Sequence, residues 1–284
     1  MAAKKTPKFT LYLDDCIEGM QKHIDDASID ISVTSPPYNL GIQYRSYHDD
    51  KDWNDYLSWT DRWVGQLRKK LKPDGSLFLN VGGSPRAPLL PHVLVDRIVN
   101  QLKLLKLQNT IHWIKSIAVP GKNSEGRQIG HYKPINSNRF VNDLHEYVFH
   151  LTPNGTTHLD RKAIGVPYAD KSNIARWGHT NGDDLKCKGN TWFIPYRTIS
   201  SRAKDRPHPA TFPTELAAQC IRLHGKNGSS VVMDPFLGIG HAALAALECG
   251  VAEFIGFEID SGYLRVATEE LTAAGAPPGV AKSR

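Results

Sequence analysis

The stretch Val231–Gly240, which reads VVMDPFLGIG, decides the fold. An apolar strand leads into a turn with two glycines, and a helical pattern begins directly after it. Glycines in such a turn let the backbone approach a ligand and adopt dihedral angles that a side chain would forbid. The next strand ends at Glu258, whose carboxylate is placed to accept hydrogen bonds from ribose hydroxyls. The pattern favours a βαβ unit for a nucleoside-containing cofactor, although an ordinary tight turn gives the same Gly-x-Gly.

The rest of the chain alternates strands with helices. Strand patterns occur at 28–33, 76–81, 111–115, 145–151, 191–195, 230–233 and 253–258, and helical patterns at 53–72, 90–105, 213–224, 241–249 and 261–273. This alternation predicts an α/β fold with a mostly parallel sheet covered by helices on both faces. We also expect a turn at 72–75 and a frayed tail from Gly275 onward.

Composition narrows the class of protein. The 284 residues are 40% hydrophobic and 23% charged, which is ordinary for a globular protein of one α/β domain with an insertion, or of two small domains. No run approaches the roughly 18 apolar residues of a membrane span, so we expect a cytoplasmic protein with no membrane contact. The four cysteines are scattered, which argues against disulfides and against a zinc site. No bound metal is expected.

The positive charge is concentrated in one segment. The net charge of the chain is +6, and residues 120–206, with 14 basic and 8 acidic residues, account for all of it. This segment is also less regular and rich in Gly, Asn and His. Such a bias indicates a surface that faces a polyanion, although many basic loops bind nothing.

A second motif, Thr34–Tyr38, follows the strand pattern at 28–33 and reads TSPPY. Two consecutive prolines stiffen the backbone and present carbonyls that no local amide can pair. Ser35 Oγ and the Pro36 carbonyl are then available to accept the two protons of an amino group, and Tyr38 offers a ring on which a base can stack. These are the parts needed to hold a flipped-out nucleobase, although a rigid loop exit has the same sequence.

Together the two motifs resemble those of the DNA amino-methyltransferases, which act on cytosine N4 or adenine N6. That family's catalytic motif reads Ser/Asp/Asn-Pro-Pro-Tyr/Phe, and its cofactor motif reads Asp-Pro-Phe-x-Gly-x-Gly-Thr. The catalytic motif comes first here, as in the circularly permuted β-class. The resemblance implies a Rossmann-like class I methyltransferase fold with a catalytic half at 1–118 and an S-adenosylmethionine-binding half at 207–284. Between them it implies a target-recognition region at 119–206, with a scaffold strand near 145–151.

The resemblance also implies roles for individual residues. The catalytic residues are Ser35, Pro36, Pro37 and Tyr38. The cofactor-binding residues are Asp15, Pro213, Asp234, Pro235, Phe236, Gly238, Gly240 and Glu258, and the candidate DNA-binding residues are Arg139, Arg176, Lys186 and Lys188. Two positions depart from the family pattern. Asp14 replaces a glycine before Asp15, and His241 stands where a threonine usually follows the second glycine.

The function implied is methyl transfer from S-adenosylmethionine to a base of duplex DNA. Ser35 favours cytosine N4, because the adenine N6 enzymes usually have Asp or Asn there. The second reading is an adenine N6 enzyme. Two alternatives come from other classes of protein. A dinucleotide-dependent oxidoreductase would need the glycine motif as Gly-x-Gly-x-x-Gly. A non-catalytic nucleic-acid-binding module is supported only by the basic segment. The sequence leaves two points open. One is whether a cognate restriction endonuclease exists, and the other is whether the protein works as a monomer or a homodimer.

Overall fold

The computed structural model describes residues 7–118, 127–129, 137–176, 180–196 and 211–282. The strands are β1 (Lys8–Leu13), β2 (Ile29–Thr34), β3 (Leu71–Val81), β4 (Lys106–Ala118), β5 (Arg127–Ile129), β6 (His145–Thr152), β7 (Thr191–Tyr196), β8 (Val231–Asp234), β9 (Glu253–Glu258) and β10 (Gly279–Lys282). The helices are α1 (Cys16–His23), α2 (Trp53–Lys70), α3 (Leu90–Asp96), α4 (Ser172–Arg176), α5 (Thr214–His224), α6 (His241–Cys249) and α7 (Ser261–Ala273).

The described strands form one sheet in the order β10-β1-β9-β8-β2-β3-β6-β4-β5, and β7 also pairs with β4. Pairing is parallel from β10 to β3. Strand β6 runs antiparallel to both β3 and β4. The amino-terminal end of β6 therefore lies at the same edge as the carboxyl ends of the parallel strands. Because β6 is antiparallel, its first residues lie at the edge where an α/β sheet binds ligands.

The chain reverses its direction of travel across the sheet between two neighbouring strands. From β8 it passes through α6 to β9, toward one edge, whereas from β2 it passes through α2 to β3, toward the other edge. Connections that diverge in this way leave a crevice outside the carboxyl ends of the two strands. The glycine-rich turn follows β8 and the Ser-Pro-Pro-Tyr motif follows β2, so the fold brings the two motifs to one crevice.

Two apolar cores lie on the two faces of the sheet. Helices α5, α6 and α7 cover one face, against side chains such as Ile31 and Val33. Helices α1, α2 and α3 cover the other, against side chains such as Leu77 and Leu79. Alternate side chains of a strand point to opposite faces, so buried strands read as continuous apolar runs. The predicted doubly wound α/β fold is confirmed, while the circular permutation stays a prediction.

Three sequence-based boundaries were wrong. The tail predicted to fray contains β10, which pairs with β1 from Thr10 to Leu13 and covers backbone groups that side-chain patterns do not reveal. The helix predicted at 90–105 ends at Asp96 and continues only as one π-helical turn, Arg97–Gln101, before Lys103 adopts a positive φ of 54°. The turn at 72–75 lies within β3, where pairing shifts between Leu71 and Ser76.

The cysteines are free thiols, and only Cys187 is exposed. Within the described ranges, no helix is long and apolar enough to cross a membrane. Nor do those ranges hold a group of three or more His, Cys, Asp or Glu side chains that could bind a metal ion.

Candidate active site

The Ser-Pro-Pro-Tyr motif leaves the carboxyl end of β2 as a braced loop. Ser35 Oγ lies 2.7 Å from the hydroxyl oxygen of Tyr38. Pro36 is buried, and the Pro37 carbonyl accepts a hydrogen bond from the Tyr56 hydroxyl of α2 at 3.0 Å. Because Pro37 is already engaged, the Pro36 carbonyl and Ser35 Oγ are the acceptors of this loop that fit an incoming amino group.

The Tyr38 hydroxyl is held by more than the serine. It donates toward the Asn80 carbonyl at 3.1 Å and toward Glu146 Oε2 at 3.2 Å. Asn80 lies at the end of β3, and Glu146 lies at the start of the reversed strand β6. Glu146 Oε1 in turn pairs with Lys115 Nζ at 2.6 Å. Tyr38 was predicted from the sequence, whereas the three strand residues of this network, Asn80, Glu146 and Lys115, were not.

Asn80 is 2% exposed. Its Nδ2 donates to Glu146 Oε2 at 2.8 Å and to the Tyr147 carbonyl at 3.2 Å. These two acceptors fix the orientation of the amide. Asn80 Oδ1 is buried and has no hydrogen-bond partner among the described residues. A buried acceptor without a partner is costly unless a ligand supplies the donor, so this position fits a site that is completed by a bound molecule.

The glycine-rich turn needs its glycines. Gly238 and Gly240 have φ values of 54° and 89°, in the left-handed region. A Cβ on Gly240 would also lie 2.9 Å from Ala267 Cβ of α7. The Gly238 amide donates to Glu258 Oε2 at 2.8 Å, which holds the turn against the end of β9. This arrangement fits the expected nucleoside cofactor, because backbone and carboxylate lie together at the start of a helix.

Two carboxylates of this region are shielded from solvent, Asp234 fully and Glu258 in part. Asp234 accepts from Thr34 Oγ1 at 2.6 Å and from the Phe236 amide at 3.0 Å. Burial raises the pKa of Asp234 to about 7, against the opposing effect of those two donors. Burial likewise raises the pKa of Glu258 to about 7. Glu258 accepts one backbone amide on each oxygen, Gly238 on one and Asp260 on the other. Each oxygen keeps lone-pair capacity for a ligand hydroxyl.

Asp15, predicted to contact the adenine of the cofactor, is the N-cap of α1. Its Oδ1 accepts from the Ile17 amide at 2.8 Å and the Glu18 amide at 3.3 Å. Asp14, which replaces the usual glycine, accepts from the Asp15 amide at 2.9 Å. The replacement therefore stabilises the turn that carries Asp15, which follows β1 at the crevice edge of the sheet.

The segment before α5 meets the glycine-rich turn through His241. Pro213 is the N-cap residue of α5, and its neighbour Phe212 is buried. His241 Nδ1 donates to the Phe212 carbonyl at 2.6 Å. The imidazole therefore joins α6 to the Pro213 segment in place of the usual threonine. Residues 197–210, which precede this segment, lie outside the described ranges.

Pro235 and Phe236 complete the turn after β8. Pro235 is buried, and the Phe236 ring packs edge-on against Trp63 with centroids 5.2 Å apart. It also contacts the Trp59 ring at 5.5 Å. The turn is thus anchored on α2, the helix that also carries Tyr56 beneath the catalytic loop.

The loop between the catalytic motif and α2 bridges to the cofactor side. Asp49, 2% exposed, accepts the amides of Asn39, Leu40 and Ile42 at 2.8–3.0 Å. Ser46 Oγ donates to Asp260 Oδ2 at 2.5 Å, directly after β9. Asp260 also caps α7. This loop therefore fixes the distance between the Ser-Pro-Pro-Tyr motif and the end of β9.

The four candidate DNA-binding residues differ in their surroundings. The Arg139 guanidinium lies over the Phe140 ring at 5.2 Å, shortly before β6. Arg176 is exposed at the end of α4, and exposed Lys186 lies over the Tyr168 ring at 5.9 Å. Lys188 Nζ instead donates to Gln219 Oε1 at 2.7 Å. We therefore keep Arg139, Arg176 and Lys186 as the stronger candidates.

The α/β fold brings a glycine-rich turn with a facing carboxylate and a braced Ser-Pro-Pro-Tyr loop to one crevice, an arrangement that fits an enzyme with a nucleoside-type cofactor. The family model described as DNA methylase, of the N6/N4 methyltransferases, matches residues 29–269. The chain belongs to this family. The predicted family is thereby confirmed, and the class to which it belongs uses S-adenosylmethionine as methyl donor.

Individual relatives agree with that assignment. The chain is similar to the Type II methyltransferase M.ScaI of Streptomyces caespitosus, with 26% identity over 278 residues, 95% of this chain and 83% of that protein. In fold it is similar to PvuII DNA methyltransferase (cytosine-N4-specific), with a TM-score of 0.64, 21% identity, and coverage of 93% and 88% of the two chains. A Thermus thermophilus protein solved in complex with S-adenosyl-L-methionine gives a TM-score of 0.63 at 23% identity, with coverage of 97% of this chain and 99% of that chain.

Proposed function

We propose that this DNA methyltransferase transfers a methyl group from S-adenosylmethionine to the N4 amino group of a cytosine flipped out of duplex DNA. The observation that carries the proposal is Ser35 beside the Pro36 carbonyl, at the crevice that also receives the glycine-rich turn. A neutral hydroxyl and a carbonyl both accept protons from an amine, and neither needs to ionise. No nucleophilic cysteine is placed in this loop, so attack through a covalent C5 adduct is not supported.

The chain's own residues make the amine reactive by geometry. The lone pair of an exocyclic amine is delocalised into the ring, so the amine is a poor nucleophile. Acceptors at Ser35 Oγ and the Pro36 carbonyl draw its two protons toward them and localise the lone pair on nitrogen. The Tyr38 ring stacks on the extruded base, and the sulfonium of the bound cofactor supplies an already activated methyl group. Catalysis then consists mainly of positioning.

The cofactor is proposed to lie along the carboxyl ends of β8 and β9. Glu258 accepts the ribose hydroxyls, and Asp15 lies at the adenine end. Gly238 and Gly240 allow close backbone approach, while Asp234, Pro235, Phe236 and Pro213 line the methionine side. The carboxylates of Asp234 and Glu258 favour a ligand that carries a positive charge.

Adenine N6 methylation is the alternative within the same family. Both targets are exocyclic amines, and the Ser35 and Pro36 acceptors would hold either one. Serine at the first position favours cytosine, and the cytosine-N4-specific PvuII enzyme has the same fold.

Residues 119–206 are proposed as the target-recognition region, with Arg139, Arg176, Lys186 and Lys188 as candidate contacts to duplex DNA. The similarity to Type II methyltransferases supports a restriction-modification system in which a cognate endonuclease is the partner. We propose a cytoplasmic enzyme that works as a monomer or a homodimer.

Product analysis tests this function directly. Duplex DNA is methylated with the purified enzyme, digested to nucleosides and examined by mass spectrometry. We expect N4-methylcytosine. Detection of N6-methyladenine would mean that the enzyme acts on the alternative target. Detection of 5-methylcytosine would refute the amine mechanism. Ser35→Ala should lower turnover by roughly 10²–10³-fold, the loss typical of one transition-state hydrogen bond.

A further inference from the structure

We infer that Ser35, Tyr38 and Glu146 form a hydrogen-bonded relay that presents Ser35 as an acceptor to the target amine and removes the proton that the methylated amine must lose. Lys115 is the positioning residue that holds Glu146. This inference rests on the proposed amine methylation and holds for either target base. It extends the site from the four-residue motif to the antiparallel strand β6.

The direction of the relay follows from counting protons. The Tyr38 hydroxyl has one proton, and two of its neighbours, the Asn80 carbonyl and Glu146 Oε2, can only accept. The tyrosine proton is therefore directed to that side. The 2.7 Å contact between Ser35 Oγ and the Tyr38 oxygen then requires the serine to be the donor. Ser35 turns its only proton toward the tyrosine, so it offers the substrate lone pairs alone.

Glu146 is held as a buried carboxylate. Its Oε1 pairs with Lys115 Nζ at 2.6 Å, and the two side chains are 13% and 10% exposed. Its Oε2 accepts from Asn80 Nδ2 at 2.8 Å as well as from Tyr38. A Cβ on Gly82 would lie 2.9 Å from Glu146 Cγ, so the neighbouring strand has no side chain where the glutamate passes. The ammonium balances the negative charge in a place that water hardly reaches.

The proton transfers balance. Methyl transfer forms the nitrogen–carbon bond and breaks the sulfur–methyl bond, which leaves the amine with a positive charge and a surplus proton. That proton passes to Ser35 Oγ, the serine proton passes to the Tyr38 oxygen, and the tyrosine proton passes to Glu146 Oε2. The product amine becomes neutral and Glu146 becomes a neutral acid. A protonated amine of this kind is a stronger acid than a carboxylic acid, so the transfer runs downhill.

Two variants break the relay at different points. Tyr38→Phe keeps the stacking ring and removes the middle hydroxyl, whereas Glu146→Gln keeps the shape and removes the final base. Glu253→Gln, in the ion pair with Lys8 at the opposite end of the sheet, is the matched control for loss of one glutamate charge. Single-turnover methylation of a duplex substrate is measured from pH 5.5 to 8.5, together with calorimetric affinity for S-adenosylmethionine.

We expect both relay variants to methylate at least about tenfold more slowly, with cofactor affinity within about twofold of the wild type. The double variant should be no slower than the slower single variant, because both changes interrupt one chain. The Glu253→Gln control should match the wild type in rate and pH profile.

A wild-type rate and pH profile in Tyr38→Phe would overturn the relay, even if Glu146→Gln failed to fold. Additive losses in the double variant would overturn it too. These outcomes differ from a failure of the proposed function, which would appear as methyl groups on a ring carbon in the wild-type product.

Discussion

Thr34 Oγ1 donates a 2.6 Å hydrogen bond to Asp234 Oδ1, and both side chains are buried. Thr34 is the last residue of β2, directly before the catalytic loop, and Asp234 is the last residue of β8, directly before the glycine-rich turn. The two residues are 200 positions apart in the chain, and their contact ties the start of the Ser-Pro-Pro-Tyr loop to the start of the glycine-rich turn.

Thr34→Val should therefore affect both stability and cofactor binding. Valine keeps the shape of the side chain but removes the hydroxyl donor. The buried Asp234 carboxylate then accepts a hydrogen bond from the Phe236 amide only. A hydrogen bond to a charged group contributes about 1.5–3 kcal/mol to the free energy of unfolding. The loss should be larger at pH 8 than at pH 6, because the pKa of Asp234 is about 7.

Chemical denaturation at the two pH values measures this effect. Thr34→Ser is the matched control, since it keeps the hydroxyl and removes one methyl group. Equal destabilisation by valine and serine would mean that the hydroxyl contributes nothing.

Cofactor affinity should depend on pH through Glu258. The ionised carboxylate accepts hydrogen bonds on both oxygens, whereas the protonated form must donate from one of them and loses an acceptor. Because the pKa of Glu258 in the free enzyme is about 7, the affinity for S-adenosylmethionine should fall as pH decreases below 7, by up to about tenfold per unit.

Calorimetric titration between pH 5.5 and 8.5 gives this dependence. Glu258→Gln should bind more weakly at pH 8 and should lose the part of the pH dependence that this residue causes. If the glutamine variant kept the wild-type affinity and slope, the ribose-acceptor assignment would be wrong.

The extent to which sequence predicted this molecule varies by element. The strand-to-turn motif and Ser35–Tyr38 were predictable because their residues have intrinsic backbone constraints and a fixed place after apolar strands. Strand β10 was missed because its pairing with β1 depends on backbone groups, which no side-chain pattern encodes. The role of Thr34 was missed because a threonine at the end of a strand gives no sign of its hydroxyl's partner until β8 is placed beside β2.

The Lys115–Glu146 pair was missed for a related reason. The two residues belong to strands whose antiparallel pairing cannot be read from alternation alone, and Glu146 reaches Tyr38 only because β6 is reversed beside β3. A rule that examines charged residues within strand patterns would have marked both of them. It would not have shown which of them touch.

A buried histidine pair predicts how stability depends on pH. Ser76 Oγ lies 2.9 Å from both His150 Nε2 and His224 Nδ1, and Asn109 Nδ2 lies 3.0 Å from His150 Nδ1. Burial lowers the pKa of His150 to about 3 and that of His224 to about 4. Both values lie below the usual 6.5, so the unfolded chain binds more protons. The contribution of the pair is complete above about pH 6.5 and is lost progressively as pH falls toward 4 and 3.

His224→Asn isolates one member of that pair. Asparagine offers an acceptor near the position of Nδ1 but does not titrate in this range. The stability advantage of the wild type over this variant should shrink as pH falls from 7 to 5, by up to about 2 kcal/mol, since each pKa unit corresponds to about 1.4 kcal/mol. Urea denaturation at pH 5, 6 and 7 measures the difference. An advantage that is constant over this range would contradict a buried neutral imidazole.

Binding of DNA should depend on the basic segment in a residue-specific way. Arg139 and Arg176 are exposed, and they carry charge in the segment that accounts for the net charge of +6. Exposed Lys162, in the same segment, is paired with Asp183 at 2.7 Å and provides the matched control. If the arginines contact phosphates, replacing either with alanine should weaken DNA binding and reduce the slope of log affinity against log salt by about one.

Fluorescence anisotropy with a labelled duplex, from 50 to 300 mM salt, gives both quantities (about the range in which counterion release dominates). Lys162→Ala should change the slope less, because its ion pair with Asp183 already offsets part of its charge. S-adenosylmethionine affinity should be the same in all three variants, because the described contacts of these exposed side chains do not involve the glycine-rich turn. Unchanged DNA affinity in both arginine variants, with an unchanged slope, would remove these two residues from the interface and shift the search to Lys186.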